Sequence, residues 1–109
     1  MDIAFEERGE AVVVTPDIKR LDALVATEFR QKTVEKVAGR RLVVLVLDRV
    51  TFMDSSGLGA LVSVMKSIPP GGSLRLVGAS DAVKTLLKLT RLDRVFPVAE
   101  SVEKALGNA

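Results

Sequence analysis

The sequence predicts an α/β fold, a single domain over residues 1–109 in which a central mixed β-sheet of four to five strands is packed with about four helices. Strand-like and helix-like segments alternate along the chain with short punctuation and no long polar linker. An unbroken apolar run, Leu42-Val43-Val44-Leu45-Val46-Leu47, has the length of a strand and no polar alternation. After it, Asp54-Ser55-Ser56-Gly57-Leu58-Gly59 marks where a strand hands over to a helix.

The elements follow in order. Ile3 to Glu7 alternates weakly, Arg8-Gly9-Glu10 is turn-like and Ala11 to Val14 is β-rich, which predicts an N-terminal hairpin closed by Thr15-Pro16-Asp17. A helix is predicted from Leu21 to Ala38, with Leu21, Leu24, Val25, Phe29 and Val37 as buried contacts and Gly39 as its stop. The Leu42 to Leu47 run belongs at the centre of the sheet, covered on both faces. Leu58, Leu61, Val62, Met65 and Ile68 recur at helical spacing until Pro69-Pro70-Gly71-Gly72 breaks the helix. Ser73 to Val77 reads as the next strand. Ser80 caps a third helix with Asp81 in its first turn and Val83, Leu86, Leu87 and Thr90 on one face. A short strand from Val95 to Val98 and a last helix from Ser101 to Leu106 complete the series.

Composition limits the chemistry. With 109 residues, 48% hydrophobic and 28% charged, the chain suits one globular core. Sixteen basic and 14 acidic residues leave a net charge of +2, too small to argue for direct nucleic-acid binding unless the charges cluster on one face. The absence of Cys and His excludes structural zinc centres, thiol nucleophiles, redox dithiols and any Ser-His-Asp arrangement. Only four Phe and no Trp or Tyr remain to stack on single-stranded nucleic acid. No apolar run approaches the length of a membrane span, and Met1 to Arg8 lacks a basic and then apolar leader, so no membrane insertion and a cytoplasmic location are expected.

Serines at the start of a helix lie beside unpaired backbone N–H groups and the positive end of the helix dipole, where a phosphate is accommodated. A serine hydroxyl is a poor nucleophile without an activating base, and the chain has no His to provide one. Asp54 either orients a neighbouring hydroxyl or caps the helix. Ser56 reads most simply as a cap or near-cap hydroxyl, and Gly57 and Gly59 allow a tight turn and close packing of helix on sheet. The glycines are no dinucleotide fingerprint, because Val62 stands where a third would be needed. Phe52 and Met53 fit either the core or an exposed apolar rim. Lys84, Lys88 and Arg91 share one flank of the third helix, with Arg94 just beyond, a stripe that reads either as a solvated face or as a contact for an acidic partner or anionic lipid.

The run Val43 to Asp48 and then Val50-Thr51-Phe52-Met53-Asp54-Ser55-Ser56-Gly57-Leu58-Gly59 resembles the motif of STAS domains, specifically the anti-sigma factor antagonists. The likeness covers most of the chain, including Leu74-Arg75-Leu76-Val77-Gly78. Pro16-Asp17-Ile18-Lys19-Arg20-Leu21-Asp22 departs from it, standing where the family usually has a glycine and a short acidic segment. The resemblance implies an anti-sigma factor serine kinase as partner and Ser55, the serine directly after the aspartate, as the phosphorylated residue in preference to Ser56. It implies a partner-binding segment of Asp54, Ser55, Ser56, Gly57, Leu58 and Gly59, and a serine phosphatase to reset the switch. In this reading the unphosphorylated chain binds the anti-sigma factor and frees the sigma factor. The chain is then a substrate rather than an enzyme and needs no cofactor, because the kinase supplies ATP and Mg²⁺. One alternative is a STAS scaffold regulating a larger signalling or transport complex. Another, a small enzyme using Asp54 and Ser55 directly, lacks a base and an oxyanion or metal constellation.

Overall fold

The computed structural model describes residues 1–107. Two strands, β1 (Ile3–Arg8) and β2 (Ala11–Pro16), pair antiparallel from Ile3 opposite Pro16 to Arg8 opposite Ala11. Only Gly9 and Glu10 join them, and Gly9, at φ +63°, supplies the left-handed backbone that so short a connection requires. The hairpin is the one that the sequence predicts.

The segment after it differs from expectation. Arg20–Leu21 is a short strand, β3, and the first helix, α1, runs Ala26–Val37 rather than starting at Leu21. Asp22 is the reason: its Oδ1 accepts the Leu24 N–H at 3.1 Å, and its carbonyl accepts from Val25 and Ala26. This side-chain turn competes with helix and diverts the chain for one loop. Leu21 is buried as expected, but from a strand, whereas Leu24 is 92% exposed on the loop instead of packing in the core.

β4 (Leu42–Val46) lies between β2 and β6 (Ser73–Val77), parallel to both, in a five-stranded sheet of order β1-β2-β4-β6-β7, with β7 (Val98–Ala99) at the far edge. The central placement of the apolar run and its burial on both faces are as predicted. Val12, Val14, Val43, Leu45, Leu74 and Leu76 form one core with Phe29 and Val37 of α1, Leu58 and Leu61 of α2 (Ser55–Lys66), and Val83 and Leu87 of α3 (Asp81–Leu89). On the opposite face Val13, Val44, Val46 and Val77 pack with Ala105 of the four-residue α4 (Val102–Ala105). The strands thus alternate between two apolar surfaces, which is why no polar residue interrupts Leu42 to Leu47.

A second small sheet joins β3 in parallel to β5 (Phe52–Met53). Ser80 caps α3 as predicted, its hydroxyl accepting the Val83 N–H at 3.2 Å. Thr90, expected on the buried face, is exposed and turns its hydroxyl back onto the Leu86 and Leu87 carbonyls. The strand expected from Val95 to Val98 is displaced: Leu92–Arg94 forms a 3₁₀ turn, Phe96 is fully buried, and β7 is Val98–Ala99. Pro97 has no N–H to give a ladder, so pairing begins with its carbonyl, which accepts from Leu76 at 2.9 Å.

Candidate functional site

The segment singled out by sequence turns from β5 into α2. Asp54 is the N-cap residue, with extended backbone at φ −112° and ψ −171°. Its Oδ1 accepts the Gly57 N–H at 3.1 Å, and its Oδ2 accepts the N–H of Ala23 at 3.2 Å. One carboxylate therefore starts the helix and holds the Asp22–Val25 loop against it. Ser56 is not the cap: it sits in the second helical position and faces a groove between α1 and α2, with Ala23, Ala26, Thr27 and Arg30 on one side and Gly59, Ala60 and Ser63 on the other.

Ser55 occupies the first helical position and is exposed. Among the described residues its hydroxyl makes no hydrogen bond, to Asp54 or to any other group. The backbone N–H groups of Ser55 and Ser56 are among those that a helix start leaves without an intrahelical partner. Ser55 thus stands at the end of the helix where backbone donors are free, next in the chain to the Asp54 carboxylate.

The glycines have different reasons. A Cβ on Gly57 would lie 2.7 Å from Met53 Cγ and closer still to the Leu21 carbonyl oxygen, so α2 approaches the β3–β5 sheet only without a side chain there. Gly59 is exposed, and a Cβ there would meet nothing within 4 Å. Close packing on the sheet, expected of both, holds for Gly57 only. Leu58 is buried in the core, so of the six residues from Asp54 to Gly59 it and Gly57 face inward. Met53 is core, while Phe52 is 38% exposed beneath the Arg20 guanidinium, which stands 4.1 Å from its ring centroid.

Two features beside the segment escape sequence reading. The Ala23–Leu24 loop is brought to Asp54 across 31 positions of chain, and only the turn-forming Asp22 announces it. Arg30 lines the groove that Ser56 faces. Lys84, Lys88 and Arg91 are exposed on α3 and just beyond it, and α3 itself packs against β5, the strand that leads into Asp54. Among the described residues no group of three or more acidic side chains could hold a metal ion, and no helix is long and apolar enough to cross a membrane.

The STAS domain family model matches residues 2–105. A protein of Thermotoga neapolitana, assigned as a homologue of the anti-sigma factor antagonist TM1081, is 31% identical over 100 residues, covering 89% of this chain and 88% of the relative. The anti-sigma-B factor antagonist of Staphylococcus aureus is 33% identical over 97 residues, covering 87% of this chain and 81% of the relative. The crystal structure of TM1081 from Thermotoga maritima, assigned as an anti-sigma factor antagonist, superposes with a TM-score of 0.86 at 29% identity, over 96% of this chain and 92% of that one.

Proposed function

Since the chain belongs to the STAS domain family, we propose that it is an anti-sigma factor antagonist that works by partner switching, with Ser55 as the switch. The observation that carries this reading is the state of the Asp54–Ser55 pair. The carboxylate is occupied by two backbone donors, while the adjacent hydroxyl is exposed and unengaged at the first position of a 12-residue helix. Asp54 thereby holds the geometry of the turn and makes no hydrogen bond to the Ser55 hydroxyl, which suits a serine that is acted upon.

In this function the unphosphorylated surface, Asp54 to Gly59 with the neighbouring loop, docks on an anti-sigma factor serine kinase in the cytoplasm and displaces its sigma factor. The Ser55 oxygen then attacks the γ-phosphorus of ATP bound to the kinase; its proton passes to a base of the kinase, and ADP leaves. Phosphorylation adds a charge of about −1.5 to −2 beside Asp54. Within the isolated domain, the free N–H groups and dipole of α2 offset part of that charge. In the complex the same charge would be desolvated next to a carboxylate, and a 100-fold loss of affinity needs only about 2.7 kcal/mol. A serine phosphatase reverses the step. The chain regulates transcription indirectly and performs no catalysis of its own.

Incubation with Mg-ATP and each anti-sigma-type kinase of the host, followed by residue-resolved mass spectrometry, tests the reading. Phosphate is expected on Ser55 in the natural chain and in Ser56→Ala, and absent in Ser55→Ala. Phosphate on Ser56, or no transfer from any active kinase to the folded chain, would sink the assignment of the switch.

A further inference from the structure

The edge of the sheet farthest from β1 carries a feature that the proposed switch does not use. β7 is the last strand, paired on one side only. The parallel register sets Leu76 opposite Val98, and the Leu76 N–H donates to the Pro97 carbonyl. In such a ladder one residue bonds to the two that flank its partner, so Pro97 and Ala99 face β6 while the N–H and C=O of Val98 turn to the open edge. Among the described residues neither group of Val98 makes another hydrogen bond. The Val98 side chain is 43% exposed and lines a cleft of about 270 Å³ with Leu87, Lys84, Lys88 and Asp93. A second hollow, bounded by Gly78, Ala99 and Glu100, shares Lys84 and Val98 with the first, so a furrow runs between α3 and the strand edge.

Lys84 and Lys88 line this furrow with Asp93 and Glu100. Among the described residues the two lysines make no ion pair, whereas Glu100 is already held by Lys104 at 3.0 Å, which leaves the lysines in excess over the free carboxylate. Asp93 is the acidic side chain left facing the lysines. An open strand edge offers backbone hydrogen bonds to an added strand, and flanking pockets choose its side chains. We propose that the furrow between α3 and β7 binds an extended acidic segment of a partner protein as an added strand, with Val98 supplying the backbone hydrogen bonds and Lys84 and Lys88 pairing with its carboxylates. The site shares no residue with the segment Asp54 to Gly59, and its independence of Ser55 is an expected outcome of the test.

The test uses the full chain, ¹⁵N-labelled, and a blocked peptide of eight residues alternating glutamate and valine, with a lysine–valine peptide as control. The acidic peptide is expected to shift the Val98 amide resonance, slow its hydrogen exchange and lose affinity as salt rises. Lys84→Glu/Lys88→Glu, two exposed replacements, is expected to weaken binding at least about tenfold with an unchanged melting curve. Val98→Pro removes the outward N–H while leaving the ladder bonds of Pro97 and Ala99, and is expected to abolish binding; should it misfold, the lysine pair still decides. The Ser55→Asp chain is expected to bind the peptide as the natural chain does. An unmoved Val98 amide at saturating peptide would overturn the proposal, as would equal binding of the control peptide. Loss of binding in Ser55→Asp would refute the independence of the surface. Shifts of the same resonances by phosphatidylserine vesicles but not by the acidic peptide would reassign the furrow to lipid.

Discussion

Gly57 and Gly59 stand two positions apart on α2 under opposite demands. Gly57→Ala would force its methyl group onto the Leu21 carbonyl and Met53, and is expected to cost about 1–3 kcal/mol, the usual penalty of overpacking. Gly59→Ala meets open space in a helical conformation, and is expected to stabilise the domain by about 0.4–1 kcal/mol. Urea denaturation of the two variants separates them by sign. Because Gly59→Ala keeps the fold, it also tests whether the kinase needs close approach at that turn. Thr33 supplies another prediction at this scale. Its side chain is 1% exposed and its hydroxyl has no hydrogen-bond partner among the described residues, so Thr33→Val, of nearly the same shape, is expected to raise stability by about 1 kcal/mol. Sequence reading names both glycines with one explanation. The two diverge because what surrounds a glycine is decided by elements distant in the chain, here β3.

Helix α1 shows how local chemistry positions an element. Lys32 donates a hydrogen bond to Glu28 one turn earlier and attracts its charge, with the N-terminal amine adding to the effect, and together they hold the Glu28 carboxyl below its ordinary value. A lowered carboxyl pKa means that the contribution to stability is present at neutral pH and lost as pH falls through the carboxylate range. Lys32→Ala is expected to move the Glu28 titration upward, as followed by carbon NMR of the carboxyl. Helix α4 depends on a different tie. Arg75 of β6 donates to the Ala105 carbonyl at 2.5 Å and fastens the short helix over Val13, Val44, Val46 and Val77. Arg75→Met keeps the length and removes the bond. It is expected to cost about 1.5–3 kcal/mol, visible as a lower urea midpoint and faster exchange of the Ala105 amide. The helices are legible from caps and spacing, as Ser80 and Ser101 show by accepting from Val83 and Lys104. The strands β3 and β5 are not: two residues make no period, and their pairing joins positions 32 apart.

At the scale of the whole molecule, the sheet centre, where β2, β4 and β6 are buried from both faces, is expected to open most slowly. The proposed switch lies outside it, on an exposed first turn. Ser55→Asp is therefore expected to change global stability by no more than about 0.5 kcal/mol, with unaltered exchange in β4, while affinity for the kinase falls about 100-fold. Calorimetric titration and denaturation of the same preparation measure both. Unfolding of Ser55→Asp would remove the reason to regard Ser55 as a switch rather than a structural hydroxyl. The furrow beside β7 gives the domain a second contact, so one chain can be held there by one partner while it is released by another at Ser55.

The sequence by itself determined the class of fold, the central strand, the starts of α3 and α4 and the strand-to-helix turn at Asp54, because each rests on short-range physics: apolar period, capping oxygens and residues that break helices. Its lack of His and Cys also removed whole families of chemistry without reference to shape. Only the tertiary structure decided that Asp54 rather than Ser56 caps α2, that Leu24 faces water, that a side chain is costly at Gly57 and not at Gly59, and that Val98 leaves its backbone open at a lysine-lined edge. Each of these depends on which distant backbone or side chain arrives beside a residue, and that is settled when the two faces of the sheet are covered, not by neighbours in the chain.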